Sequence, residues 1–141
     1  MTIVDANLLI YAYSSGSPKH RAARQWWEDT LNGDDDVGIP WICVIAFLRI
    51  LTNQRLNTGV KLADAIAAVD SWIAHPGVVV IGPAANHWVY LRRLLLQGKA
   101  VGVLGSDAHL AALTMEHGGT LYTHDSGFSR FAGLRWIDPL G

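Results

Sequence analysis

The chain has 141 residues, half of them apolar, with 11 Lys and Arg against 12 Asp and Glu. That length can bury one hydrophobic core and is short for two ordinary domains, so residues 1–141 are read as a single domain. The near-zero charge excludes general electrostatic adhesion to nucleic acid and leaves any such binding to a local patch. The longest nearly uncharged apolar stretch, Ile39 to Leu48, falls far below the ~18 residues of a membrane span, so no membrane partner is expected. An acid at position 5 argues against a secretory leader. The single Cys43 lies in an apolar run and cannot form an internal disulfide, which fits a small core residue in a reducing cytoplasm.

Thr2 to Val4 reads as a short buried strand, and Asp5 to Tyr13 as a helix ending in Ser14-Ser15-Gly16-Ser17. Ser17-Pro18 supplies an N-cap and a first-turn Pro for a helix over Lys19 to Leu31. Asn32, Gly33 and the three acids Asp34 to Asp36 form a polar loop before a strand at Val37 to Ile39. Pro40 opens an apolar helix running to about Thr52, and the Ala, Leu and Ile spacing predicts another over Leu62 to His75, stopped by Pro76-Gly77. Val78 to Ile81 is a β-branched run typical of an interior parallel strand. Helices follow at Asn86 to Gln97 and Ser106 to His117, the latter closed by Gly118-Gly119. Thr120 to Thr123 and Leu134 to Ile137 are the last strands. Apolar strands alternating with helices imply an α/β fold, a parallel sheet covered by helices on both faces.

In such sheets the functional crevice lies beyond the carboxyl ends of the strands. Asp5 and Asp125 follow strands directly, and Asp107 is the first acid after the apolar run Val101 to Leu104, at its helix start. Each alone is explained as a helix N-cap. Three at one sheet edge, each in apolar context, are not. Three carboxylates ~4–5 Å apart repel by ~4 kcal/mol per pair at an effective dielectric of about 20, a total that rivals the stability of a domain. Such a cluster persists if some groups stay protonated or a hard cation sits among them, and an oxygen-only site favours Mg²⁺ or Mn²⁺.

Ile3-Val4-Asp5-Ala6-Asn7, Ser106-Asp107-Ala108-His109-Leu110-Ala111-Ala112 and Thr123-His124-Asp125-Ser126-Gly127-Phe128 resemble the motifs of PIN-domain nucleases, most closely the VapC-type toxins of bacterial toxin–antitoxin pairs. Pro40-Trp41, Phe47-Leu48-Arg49 with Thr52-Asn53, and Gly133-Leu134-Arg135-Trp136 extend the resemblance over the full length. It implies a PIN-like three-layer α/β/α sandwich with a central, mostly parallel sheet. It implies that Asp5, Asp107 and Asp125 are catalytic and hold Mg²⁺, with Mn²⁺ as substitute, and that Thr123 is a supporting hydroxyl. The implied reaction is endonucleolytic hydrolysis of RNA by metal-activated water, leaving a 5′-phosphate and a 3′-hydroxyl and halting translation and growth. The implied partners are RNA, a VapB-type antitoxin whose tail covers the acidic cleft, and a second copy in a homodimer or higher toxin–antitoxin assembly, all in the cytoplasm.

The sequence also departs from that pattern. The family Glu one residue before the middle-helix Phe is Ala46 here, and a second acid two residues after the last Asp is replaced by Gly127. One reading keeps a single Mg²⁺ with waters in the vacant positions. A second brings a carboxylate from Glu28, Glu116 or one of Asp34 to Asp36, although Glu116, nine residues after Asp107, falls on the opposite helix face. The third is a weakened or silent PIN module that acts by binding RNA.

Arg49 and Arg130 are the candidates for RNA or phosphate contact, since the guanidinium fork matches phosphate. For Arg92-Arg93 a solvated surface is the better explanation. His124 is left without a role, and His109 with His117 lacks a third zinc ligand at useful spacing. The Trp residues at 26, 27, 41, 72 and 88 read as core or dimer packing rather than base stacking. A dehalogenase-type phosphatase would need an acid at Asn7, and a receiver domain a Lys better placed than Lys99.

Overall fold

The computed structural model describes residues 1–141. Five strands, β1 (Thr2–Val4), β2 (Val37–Pro40), β3 (Val78–Ile81), β4 (Thr120–Tyr122) and β5 (Trp136–Ile137), form one sheet in the order β3-β2-β1-β4-β5. Every pairing is parallel, with Ile3 opposite Gly38 on one side and Leu121 on the other. Six helices complete the chain: α1 (Ala6–Tyr13), α2 (His20–Leu31), α3 (Trp41–Leu51), α4 (Leu62–Ala74), α5 (His87–Gln97) and α6 (Leu104–Glu116).

Side chains on successive strand residues point to opposite faces, and that alternation builds two cores. Val4, Val37 and Ile39 face a cluster with Leu8, Trp27, Phe47 and Trp72 from α1 to α4. Ile3, Ile81 and Leu121 face a second cluster with Leu94, Ala111 and Leu113 from α5 and α6. β1 and β2, buried on both faces, have no polar side to show, which is why they read as unbroken apolar runs. The layers are helix, sheet, helix, as the sequence predicts.

Two glycines hold the α6 to β4 junction. Gly118 has φ +63°, the left-handed turn that ends α6, and a Cβ on Gly119 would stand 2.6 Å from Ile3 Cδ1.

Two sequence expectations change. β3 is an edge strand rather than an interior one, with Val79 47% exposed, and α6 begins at Leu104 rather than Ser106, after an apolar run in which Val101 and Val103 are exposed. With Gly102 at φ +59° that run turns. Of the Trp residues read as core or dimer packing, Trp27 and Trp72 are fully buried and Trp26 packs against the same cluster, while Trp41 and Trp88 are exposed on helix surfaces. No helix is long and apolar enough to cross a membrane.

Candidate metal and nuclease site

β1 delivers Asp5 to the carboxyl edge of the sheet, where its N–H still donates to the Tyr122 carbonyl at 3.0 Å, one step beyond the β1–β4 pairing. Asp5 occupies the N-cap position of α1 yet its side chain makes no capping bond. Its Oδ2 instead accepts the Thr123 hydroxyl at 2.7 Å. Asp107 lies four residues into α6, past the capping position. Only Asp125 caps, its Oδ1 accepting the Gly127 N–H at 2.8 Å at the start of the 3-10 helix Ser126–Arg130. For two of the three acids, then, helix capping does not account for the residue.

Thr123 is fully buried and its hydroxyl is saturated. It donates to Asp5 and accepts from Asn7 Nδ2 at 3.3 Å and from the Asp125 N–H at 3.1 Å. One side chain thereby ties the ends of β1 and β4 and the start of α1 together. Asn7 completes the link by accepting the His124 N–H at 3.4 Å. Sequence reading took Thr123 from the resemblance and gave Asn7 no role. The signal was available in Asp5-Ala6-Asn7, an amide in the first helical turn two residues after the carboxylate.

The electrostatics couple all three acids. Burial pushes the Asp5 carboxyl up to about 6, the Thr123 hydrogen bond opposes this, and the charges of Asp107 and Asp125 raise it further. Asp107 is raised by burial and then by Asp125, against the pull of Arg130. Asp5 and Asp107 line one cleft of about 240 Å³ with Ile42, Cys43, Ala46 and Arg49. The Cys43 thiol, buried in that wall near Asp5, is pushed up and stays protonated.

The candidate cations divide. Arg49 is exposed beside the cleft without an ion pair, free to meet an anion. Arg130 donates Nε to the Gly127 carbonyl at 3.3 Å and Nη1 to the Gly98 carbonyl at 3.5 Å, so it is held in place and acts on Asp107 through its charge. His124 is bound to Asp138 at 2.8 Å and takes no part. Glu116 pairs with His87, whose Nε2 stands 2.9 Å from His109 Nδ1, so it supplies no substitute carboxylate to the cleft.

Thr123→Val is expected to leave the Asn7 amide and the Asp125 N–H unpaired and to destabilise the fold by about 1–3 kcal/mol. Denaturant titration measures this, with Thr123→Ser recovering most of the loss.

The PIN domain model matches residues 2–134. Ribonuclease VapC33 of Mycobacterium tuberculosis is 39% identical over 141 residues, covering 99% of each chain. Ribonuclease VapC37 of the same organism is 39% identical over 140 residues, 99% of this chain and 97% of the relative. Among solved structures, Mycobacterium tuberculosis VapC20, described as a Sarcin-Ricin loop cleaving toxin, aligns with TM-score 0.70 at 19% identity over 96% of this chain and 99% of that one. VapBC-1 from nontypeable Haemophilus influenzae aligns with TM-score 0.67 at 19% identity over 99% and 98%. These last two speak to the fold. The chain belongs to the PIN-domain family, among its VapC ribonucleases.

Proposed function

We propose that the chain is a metal-dependent endoribonuclease toxin that hydrolyses RNA phosphodiester bonds, with Asp5, Asp107 and Asp125 holding Mg²⁺, or Mn²⁺ in its place. The observation that carries this is the electrostatic coupling of three carboxylates at one sheet edge, two of them not spent on helix caps. The donor set fits the ion, being all oxygen and short of positive charge. The three acids do not gather into one ready-made ligand group; an ion would be held from Asp5 and Asp107 across the cleft they line, with water in the open positions and Asp125 outside that lining. When bound, the ion supplies Lewis-acid stabilisation of a phosphodiester and makes water nucleophilic at neutral pH.

The chain's own residues do the rest. Thr123 holds one oxygen of Asp5 and leaves the other without a side-chain partner. Arg130 offsets part of the negative charge at Asp107. Arg49, on the rim, is the group for RNA phosphate. Ile42 and Ile45 line the cleft beside the exposed Trp41, and this apolar wall next to acids suits a VapB-type antitoxin tail that carries a basic side chain. Homodimerisation belongs to the same reading. Ala46 in the cleft wall favours a second reading, a silent module that binds RNA without cutting it.

Expression of wild type and Asp5→Ala in the same cells, followed by assay of the purified proteins on RNA with Mg²⁺, Mn²⁺ or a chelator, separates the two. Metal-dependent cleavage and growth arrest by wild type alone are expected. Equal arrest by both without cleavage would favour the silent module, and cleavage indifferent to chelator would overturn the metal-dependent reading.

A further inference from the structure

At the opposite edge of the sheet, Thr2 begins β1, about 10 Å along the strand from Asp5. It opens onto a cavity of about 430 Å³ that no step of RNA cleavage uses. Its apolar wall is Trp26 and Tyr122, stacked with ring centroids 5.6 Å apart and planes 27° from parallel. Its rim carries Asp29, Asp34 and Asp35. None of the three forms an ion pair, and only Asp29 has a side-chain partner, the Gln25 amide at 2.9 Å.

A second observation makes this more than an acidic loop. Thr2 is 6% exposed and its hydroxyl has no hydrogen-bond partner in the chain, yet it is not sealed from solvent, and the space it reaches is this cavity. Solvent in the cavity is therefore its only available partner, and no group of the chain competes for it. A ligand donor here would satisfy it. A hydrated divalent ion gains little from the stacked aromatic pair that forms the wall. An organic cation uses every feature: its charge meets the carboxylates, its N–H groups bond Thr2, and its flat or methylene part lies on the aromatic wall.

We propose that this cavity binds an ammonium- or guanidinium-bearing ligand with an apolar stem, either a free polyamine or the Lys or Arg side chain of a basic peptide. Calorimetric titration of the full chain with spermidine, and separately with a blocked Gly-Arg-Gly peptide, at fixed ionic strength, tests it. One-to-one saturable binding is expected for at least one probe, and the probe that binds more tightly identifies the source. Asp34→Asn/Asp35→Asn, on an exposed loop, is expected to weaken it by about ten-fold, and Thr2→Val by a few-fold. Absence of saturable binding by both probes overturns the site. So does binding that the Asp34/Asp35 variant leaves unchanged, or heat that MgCl₂ reproduces. The readout is binding, so the result is independent of nuclease activity.

Discussion

Asp5→Asn is expected to make the metal-free protein more stable at neutral pH while abolishing most RNA cleavage. The Asp5 carboxyl is raised from 3.8 to about 6 in the folded state, first by burial. A raised acid binds its proton more tightly when folded, so the fold is favoured most below about pH 4 and loses stability as pH climbs from 3.8 to 6. Above that window the full penalty applies, at most about 3 kcal/mol for a shift of this size. Asn carries no charge and still accepts the Thr123 hydroxyl, so it removes the penalty and keeps the bond. Its stabilisation should therefore reach a plateau above pH 6 and vanish near pH 4, read from thermal midpoints across the series. Mg²⁺ should raise the midpoint of wild type and not that of the variant. Cleavage should fall on the order of 100-fold or more, since losing even an outer-shell partner of a metal ligand costs about 10–100-fold. A variant no more stable than wild type at pH 7 would remove the electrostatic basis of the site.

The centre of the sheet was legible in sequence because β1 and β2 are buried on both faces and their composition has few alternatives. Val78 to Ile81 is read to the residue, but as an interior strand, where it forms an edge with Val79 exposed, because a β-branched run does not tell an edge from the interior. Helix ends shifted by a residue or two where capping residues compete, as at Lys19 and Asn86, neither of which makes a side-chain cap. Asp5 and Asp125 could be found from strand ends. Asp107 was singled out as the first acid after the apolar run Val101 to Leu104, and a helix rather than a strand carries it to the cleft. The Thr123 hub was invisible to spacing: its three bonds join positions 116 and 118 residues apart as well as a neighbour. The cavity at Thr2 depends on Trp26 meeting Tyr122, a long-range contact that no local pattern encodes.

Ala46→Glu is the complementary experiment, because Ala46 lines the cleft that Asp5 and Asp107 share. It is half-buried on α3, one turn before Arg49, so a longer side chain enters the cleft or its mouth rather than the core. Without metal, a fourth carboxylate at ~5 Å from another adds about 3 kcal/mol of repulsion at an effective dielectric of 20, reduced where water screens it. The variant should then melt below wild type in chelator. With a divalent ion the same charge becomes a ligand, so the midpoint should recover and the Mg²⁺ concentration giving half-maximal RNA cleavage should fall by about ten-fold or more. At saturating Mg²⁺ the two proteins should cleave at similar rates if water serves adequately where Ala46 leaves the position open. A wild type that is inactive at every Mg²⁺ concentration, with cleavage appearing only in Ala46→Glu, would instead establish the natural chain as the silent RNA-binding module. A variant that gains neither metal affinity nor activity would mean that the cation sits away from α3, held from the Asp107 and Asp125 side, where Arg130 already shapes the charge.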